Sequence, residues 1–394
     1  MNVAPLFTPV RMGALELPNR IAMAPLTRMR AGNPAHMPTA LQAEYYAQRA
    51  SAGLIVGEAT AISPDGFGWA DTPGLWSSEQ IHGWRQVTEA VHTAGGRMIA
   101  QLWHTGAISH PDLRDGALPL SASAVDPQQR SVTPTGRKPT VTPRAMTGAE
   151  IRQTIADYAT AARNAITAGF DGVQILANYL YLPAQFLNKA TNQRTDAYGG
   201  SIENRARLTL EIAEAVAAAV GPERTGVKLG PMHETGPFEA NDETLPTAEY
   251  VISRLNGLSH LLVMGATHDL TATPLDGLDG DGRFAHIRPL FHGTLIANVE
   301  MDAERAAHLV ASGLADVVAF GRPFIANPDL PARLATGAPL ADIDWTTVYA
   351  SGARGYTDYP ARLATGAPLA DIDWTTVYAS GARGYTDYPA LAAV

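Results

Sequence analysis

Residues 169–204, GFDGVQILANYLYLPAQFLNKATNQRTDAYGGSIEN, hold the densest set of groups in this chain that could do chemistry. The apolar run at 172–177 reads as a buried strand, and Tyr179, Tyr181 and Tyr198 follow it in a polar loop. Phenols and amides placed just past a strand can hold a polar substrate or pass a proton. On a regular strand Gln174, Leu176 and Asn178 share one face. Other candidates stand at the ends of further apolar runs: Thr27, Ala59, Gln101 with Trp103 and His104, Lys228, Asn298, and Gly321-Arg322. The set contains neutral hydrogen-bonding groups, aromatics and two cations. Without a carboxylate pair, an H-E-x-x-H or a G-x-S-x-G, it gives no support to hydrolysis by paired acids, zinc or serine, and no metal site is predicted. In Phe320-Gly321-Arg322-Pro323-Phe324 the glycine allows an anion close to the backbone. A plain turn with a surface arginine is the alternative, and Asn298 near the same end favours phosphate.

The elements that must position these residues alternate between strand and helix. Strands are predicted at 21–26, 54–62, 97–104, 172–177, 226–230, 260–264, 294–298 and 316–320. Helices are predicted to end near 45–52, to cover 78–94, 203–220, 247–255 and 303–312, and to run to 168 from a T-x-x-E capping box at Thr147. Asn327-Pro328 reads as a further helix start. Eight strands with no G-x-G-x-x-G after the first predict an α/β fold closed as a (β/α)₈ barrel, with active groups at the strands' C-terminal ends. Residues 1–20 predict an N-terminal hairpin turning at Met12-Gly13. The stretch 105–146, rich in Pro, Ser and Asp, predicts a long excursion over the mouth after strand three.

Composition narrows the function. A net charge of −9 with no basic run argues against nucleic acid and membrane-surface binding, and no apolar run is long enough to span a bilayer. The absence of cysteine removes disulfides and thiolate chemistry, and the lack of a secretory signal predicts a cytosolic protein. Residues 331–359 recur letter for letter as 360–388. Only one copy can fill a single docking site, so the prediction is one domain over 1–359 with the first copy docked and 360–388 as a peripheral tail.

Several stretches carry a family resemblance: FTPVRMGALELPNRIAMAPLTR, EYYAQRASAGLIVGEAT, GGRMIAQLWHTG, GFDGVQI with YL and QFL, TNQRTDAYGGSIENRAR, DVVAFGRPFIANPDL and GYTDYP. In this order, covering nearly the whole chain, the sequence resembles the Old Yellow Enzyme family of FMN-dependent NAD(P)H ene reductases. The resemblance implies FMN at the barrel mouth, with Pro25, Leu26 and Thr27 beside the ring and Ala59 and Gln101 on its pyrimidine edge. It also implies Lys228, where the family usually has arginine, near N1 and C2=O, and Asn298, Gly321 and Arg322 around the phosphate. Trp103, Leu176 and Tyr356 would face substrate, and Tyr181 matches the proton donor; packing on the strand end is that tyrosine's alternative role. The implied partners are an activated alkene or nitro compound and NAD(P)H as reductant, acting by ping-pong hydride transfer in a monomer or homodimer.

The departures bear on activity. The family's substrate-anchoring histidine and asparagine (or second histidine) correspond to Leu176 and Tyr179, and its arginine in L-W-H-x-G-R corresponds to Ala107. Leucine has no donor, so Asn178 or the Tyr179 phenol is the candidate replacement. Against the ene reductase stand two alternatives: a flavin-binding barrel with weak or different activity, and a barrel that no longer holds FMN.

Overall fold

Eight parallel strands close into a barrel in the computed structural model, which describes residues 2–178, 180–230, 237–238, 241–264, 281–298 and 301–359. In chain order they are β1 (Ile21–Met23), β2 (Leu54–Ala61), β3 (Met98–Trp103), β4 (Gly172–Ala177), β5 (Thr225–Leu229), β6 (His260–Met264), β7 (Thr294–Asn298) and β8 (Val317–Phe320). The order around the barrel is sequential and β8 pairs with β1 to close it. Both faces of each strand are covered, which is why these segments are mostly apolar, broken only at a few positions such as Glu58, Gln101, Gln174 and Lys228. Ala22, Val56, Ile99, Leu262, Ile296 and Ala319 pack inside the barrel, and Met12 and Leu17 of the N-terminal hairpin join them. The hairpin pairs Val10–Met12 with Leu15–Leu17, as predicted, and Thr294 at the start of β7 donates to Arg11 O.

The helices α1 (Ala40–Ala47), α2 (Ser78–Thr93) and α3 (Gly148–Thr167) each begin with a complete capping box, at Thr39/Gln42, Ser77/Gln80 and the predicted Thr147/Glu150. Such boxes satisfy two otherwise orphaned backbone N–H groups. The remaining wall helices used below are α4 (Leu182–Leu187), α5 (Ile202–Val220), α6 (Thr244–Arg254), α7 (Gly282–Ile287), α8 (Ala303–Ala311), α9 (Arg322–Ala326) and α10 (Leu330–Thr336). No helix among the described residues is long and apolar enough to cross a membrane.

A bulge in β2 breaks the simple alternation. The register runs from Val56↔Ile99 to Ala59↔Gln101, so Gly57 and Glu58 together oppose one residue of β3. Ala59 is thereby set beside Gln101 at the mouth. Glu58 turns outward, where its carboxylate accepts from Arg28 N at 3.2 Å and from the Tyr46 hydroxyl at 3.4 Å. Burial pushes the Glu58 carboxyl up to about 7, against the lowering effect of Arg28 and Arg30.

The 105–146 excursion carries structure of its own: a parallel pair, Leu120–Ser121 with Arg144–Ala145, and an antiparallel pair, Arg130–Thr133 with Gly136–Pro139. Ala70 N donates to Val132 O at 2.9 Å, tying the excursion to the loop after β2.

The first copy of the repeat is docked over residues 331–359, while 360–388 lies outside the described residues. Three buried guanidinium groups hold it. Arg28 donates to Val348 O and Gly355 O, Arg30 to Thr347 O and Gly352 O, and Arg49 to Phe324 O, Ile325 O and Tyr356 O. Tyr356 stacks on Tyr45 with ring centroids 3.8 Å apart and planes at 5°. One sequence prediction is corrected here. Asn327 starts no helix: it is the C-cap of α9, and its amide bonds with Pro323 O and with both backbone groups of Ala341. The next helix begins at Leu330 behind Asp329, because the asparagine is committed to pinning the chain that leaves α10.

Candidate active site at the barrel mouth

The inward positions of β3, β4 and β5 build the polar part of the site. Parallel register places Gln101 opposite Gln174, and Gln101 Nε2 donates to Gln174 Oε1 at 2.8 Å. The other amide nitrogen donor, Gln174 Nε2, is buried without a hydrogen-bond partner. Lys228 is level with Leu176 on one side and Leu262 on the other. Among the described residues its ammonium group has neither an ion-pair nor a hydrogen-bond partner. Burial alone lowers its pKa to about 8, and no acid among the described residues stands near enough to raise it. An uncompensated buried cation beside an orphaned amide donor is costly unless an electron-rich group occupies the space.

The apolar part of the site is a separate cluster of Ala59, Trp103 and Leu176, with Trp69 and Tyr181 packed against it. Trp103 meets Tyr181 edge to face at 5.1 Å and Trp69 in the same manner at 6.2 Å. Tyr181 is half-buried and occupies the N-cap position of α4, so the turn that starts this helix aims it at the mouth. Trp69 was not singled out in the sequence. It arrives from the loop after β2, where no periodicity marks it, and the aromatic itself was the only signal.

Gln174, Leu176 and Asn178 are all buried, Gln174 against Gln101 and Leu176 in the cluster with Ala59 and Trp103. Asn178 Nδ2 donates to Met264 Sδ, a weak acceptor, and its side chain packs over Gly230. Tyr179 lies outside the described residues. Ala107 is buried, with its N–H donating to Gln185 Oε1, so this position packs under α4 and lines no opening.

On the far side of the mouth, Pro25, Leu26 and Thr27 leave β1 half-buried, and Ala24 N donates to Phe320 O at 2.9 Å. A Cβ built on Gly321 would stand 3.5 Å from Leu26 Cδ2, so these two loops are in contact. Asn298 is buried at the end of β7 with its amide donating to Ala319 O at 2.8 Å. Arg322 is exposed, its guanidinium 5.7 Å from the Trp345 ring.

Tyr356 stands among the buried arginines. The ring is fully buried between Tyr45 and the guanidinium groups of Arg28 and Arg30, 4.8 Å and 4.3 Å from its centroid. It belongs to the C-terminal clamp.

The chain resembles known proteins over most of its length. Residues 5–341 match the family model described as the NADH:flavin oxidoreductase / NADH oxidase family. It is 40% identical over 363 residues to 12-oxophytodienoate reductase 1 of Oryza sativa subsp. japonica, covering 90% of this chain and 92% of that protein. Among solved structures, the Old Yellow Enzyme homologue from Zymomonas mobilis superposes with a TM-score of 0.85 at 42% identity, covering 90% of this chain and 99% of that one. Morphinone reductase in complex with tetrahydroNAD gives 0.83 at 45% identity, covering 90% and 97%.

Proposed function

The chain belongs to the NADH:flavin oxidoreductase / NADH oxidase family, the family of the Old Yellow Enzyme, and we propose on that premise how its own residues carry out the reaction. It is an FMN-dependent NAD(P)H oxidoreductase of the ene reductase kind. When bound, FMN supplies two-electron chemistry: hydride accepted from NAD(P)H, then hydride given to the β-carbon of an alkene conjugated to a carbonyl or nitro group. The residues at the mouth fit that group. The observation that carries the reading is Lys228, a buried ammonium that no acid among the described residues neutralises, two register steps along the β4–β5 pair from the orphaned amide of Gln174.

Lys228 and the Gln101–Gln174 pair would hold the electron-rich pyrimidine edge, with Ala59 closing beside them. A lysine supplies the charge as a point, without the planar fork of a guanidinium. Pro25, Leu26 and Thr27 would flank the ring, and Asn298, Gly321 and Arg322 would hold the phosphate. Trp103 and Leu176 shape an apolar slot over the reacting face. The Tyr181 hydroxyl, aimed by the start of α4 and steadied by Trp103, gives its proton to the substrate's α-carbon. Asn178 replaces the anchoring donor that Leu176 lacks: its amide is spent on a thioether, and exchanging that contact for a substrate oxygen improves the hydrogen bond. The substrate is a small activated alkene or nitro compound.

Adding FMN and then NAD(P)H without oxygen tests the reading. Yellow protein that bleaches, and regains its colour on addition of a cyclic enone or maleimide, is the expected result. Protein that stays colourless after incubation with FMN would overturn it.

A further inference from the structure

The groove that holds residues 331–359 reads features that 360–388 carries as well. Arg28 donates to Gly355 O at 2.7 Å and Arg30 to Thr347 O at 3.0 Å, both backbone carbonyls. Tyr45 stacks on the Tyr356 ring. Gly355 adopts a φ of +64°, and a Cβ there would strike Thr347 Oγ1, so the turn requires glycine. The second copy repeats each of these residues as Thr376, Gly384 and Tyr385.

We propose that this groove is a docking site for either copy, and that 360–388 occupies it, within the same chain, whenever the first copy is disabled. The two docked states place identical side chains against one groove, so their contact energies cancel. Connectivity alone separates them. Docking the second copy closes a loop of about 30 residues between Leu330 and Pro360, and closure entropy disfavours that state by roughly a hundredfold. This keeps the first copy in place in the parent protein. Truncating a buried aromatic to alanine weakens its own state by roughly two to four powers of ten, enough to reverse the preference. A tethered segment acts at an effective concentration near the millimolar range, so docking in cis outcompetes docking onto a neighbouring chain at micromolar protein.

Deleting either copy yields the same polypeptide, so point variants are needed. The chain has no cysteine, which leaves an introduced thiol as the only one. Val348 is buried at 3% exposure, and Val377 is its counterpart. In Val348→Cys the thiol is expected to resist a maleimide label, and in Val377→Cys to react at least tenfold faster. Adding Tyr356→Ala should exchange the two rates at every protein concentration. Tyr385→Ala alone should leave the melting temperature unchanged, and Tyr356→Ala with Tyr385→Ala should melt well below Tyr356→Ala. A Val377→Cys thiol as reactive after Tyr356→Ala as before it, a Tyr356→Ala chain that fails to fold, or protection that appears only with dimer formation would each overturn the proposal.

Discussion

Leucine at 176 puts a methyl-terminated side chain at the inward position level with Lys228, inside a cluster made with Ala59 and Trp103. A substrate oxygen that gains negative charge at that point finds no hydrogen there. One missing preorganised donor is worth about 3 kcal/mol, or roughly a hundredfold in rate. Leu176→His is therefore expected to raise turnover of a cyclic enone by roughly a hundredfold with FMN affinity unchanged, measured by steady-state kinetics and flavin fluorescence. The Asn178 amide is the partial replacement, so Asn178→Ala combined with Tyr179→Phe should weaken binding of a phenolic ligand; equal affinity would remove both from the anchoring role. Lys228 adds a pH dependence. In the flavin-free protein its pKa is lowered to about 8 against 10.5 in an unfolded chain. The penalty of burying the charge is fully present below pH 8. Between pH 8 and 10.5 the unfolded chain binds more protons, so the stability of flavin-free protein should rise with pH in that window relative to Lys228→Met. FMN affinity runs the other way. The cofactor needs the ammonium form, so its dissociation constant should climb by up to tenfold per pH unit above 8, and Lys228→Arg should flatten the curve. Fluorescence titrations from pH 7 to 9.5 decide this, and a flat parent curve would take Lys228 out of the cofactor site.

Among the elements, α1 and the two residues after it link the barrel to the C-terminal segment: Tyr45 stacks on Tyr356, Gln48 donates to Thr357 O, and Arg49 ties three segments together. Arg49 is fully buried and donates to carbonyls in α1, α9 and the docked copy. Arg49→Met fills the volume and strands those acceptors, at a cost of about 3 kcal/mol or more. Arg85, exposed with one bond to Thr167 O, should change stability by less than about 0.5 kcal/mol when made alanine. Urea unfolding separates the two. This linkage could not be read from the sequence, because guanidinium-to-carbonyl bonds across hundreds of residues leave no local pattern. The strands were legible for the opposite reason. Covered on both faces, β4, β6 and β7 are short, mostly apolar stretches whose ends match the predicted limits residue for residue. The inward face of β4 followed from alternation alone, while Trp69 and the bulge at Glu58 obey no period and emerged only in three dimensions. Asn327 was misread because the same amide that caps a helix start can equally tie two segments together.

At the scale of the molecule, the barrel is closed by its own β8–β1 pairing, and residues 347–356 lie across the buried Arg28, Arg30 and Arg49, accepting hydrogen bonds from each. The segment is thus part of the folded domain rather than an appendage to it. Uncovering three guanidinium groups and the Tyr45 ring would strip their hydrogen bonds and stacking at once. A chain stopped after Tyr359 keeps the whole clamp, and it should melt within about a degree of the parent and bind FMN within twofold of it. A chain stopped after Leu330 loses both copies of the repeat, and it should accumulate as insoluble or partly unfolded protein. Thermal melts and flavin titrations on the two truncations, with expression yield as a third measure, check this. A shorter chain that folds and binds FMN as the parent does would show that the barrel stands without its clamp. The domain would then end after α9, and the burial of the three arginines would be a consequence of docking instead of a condition for folding.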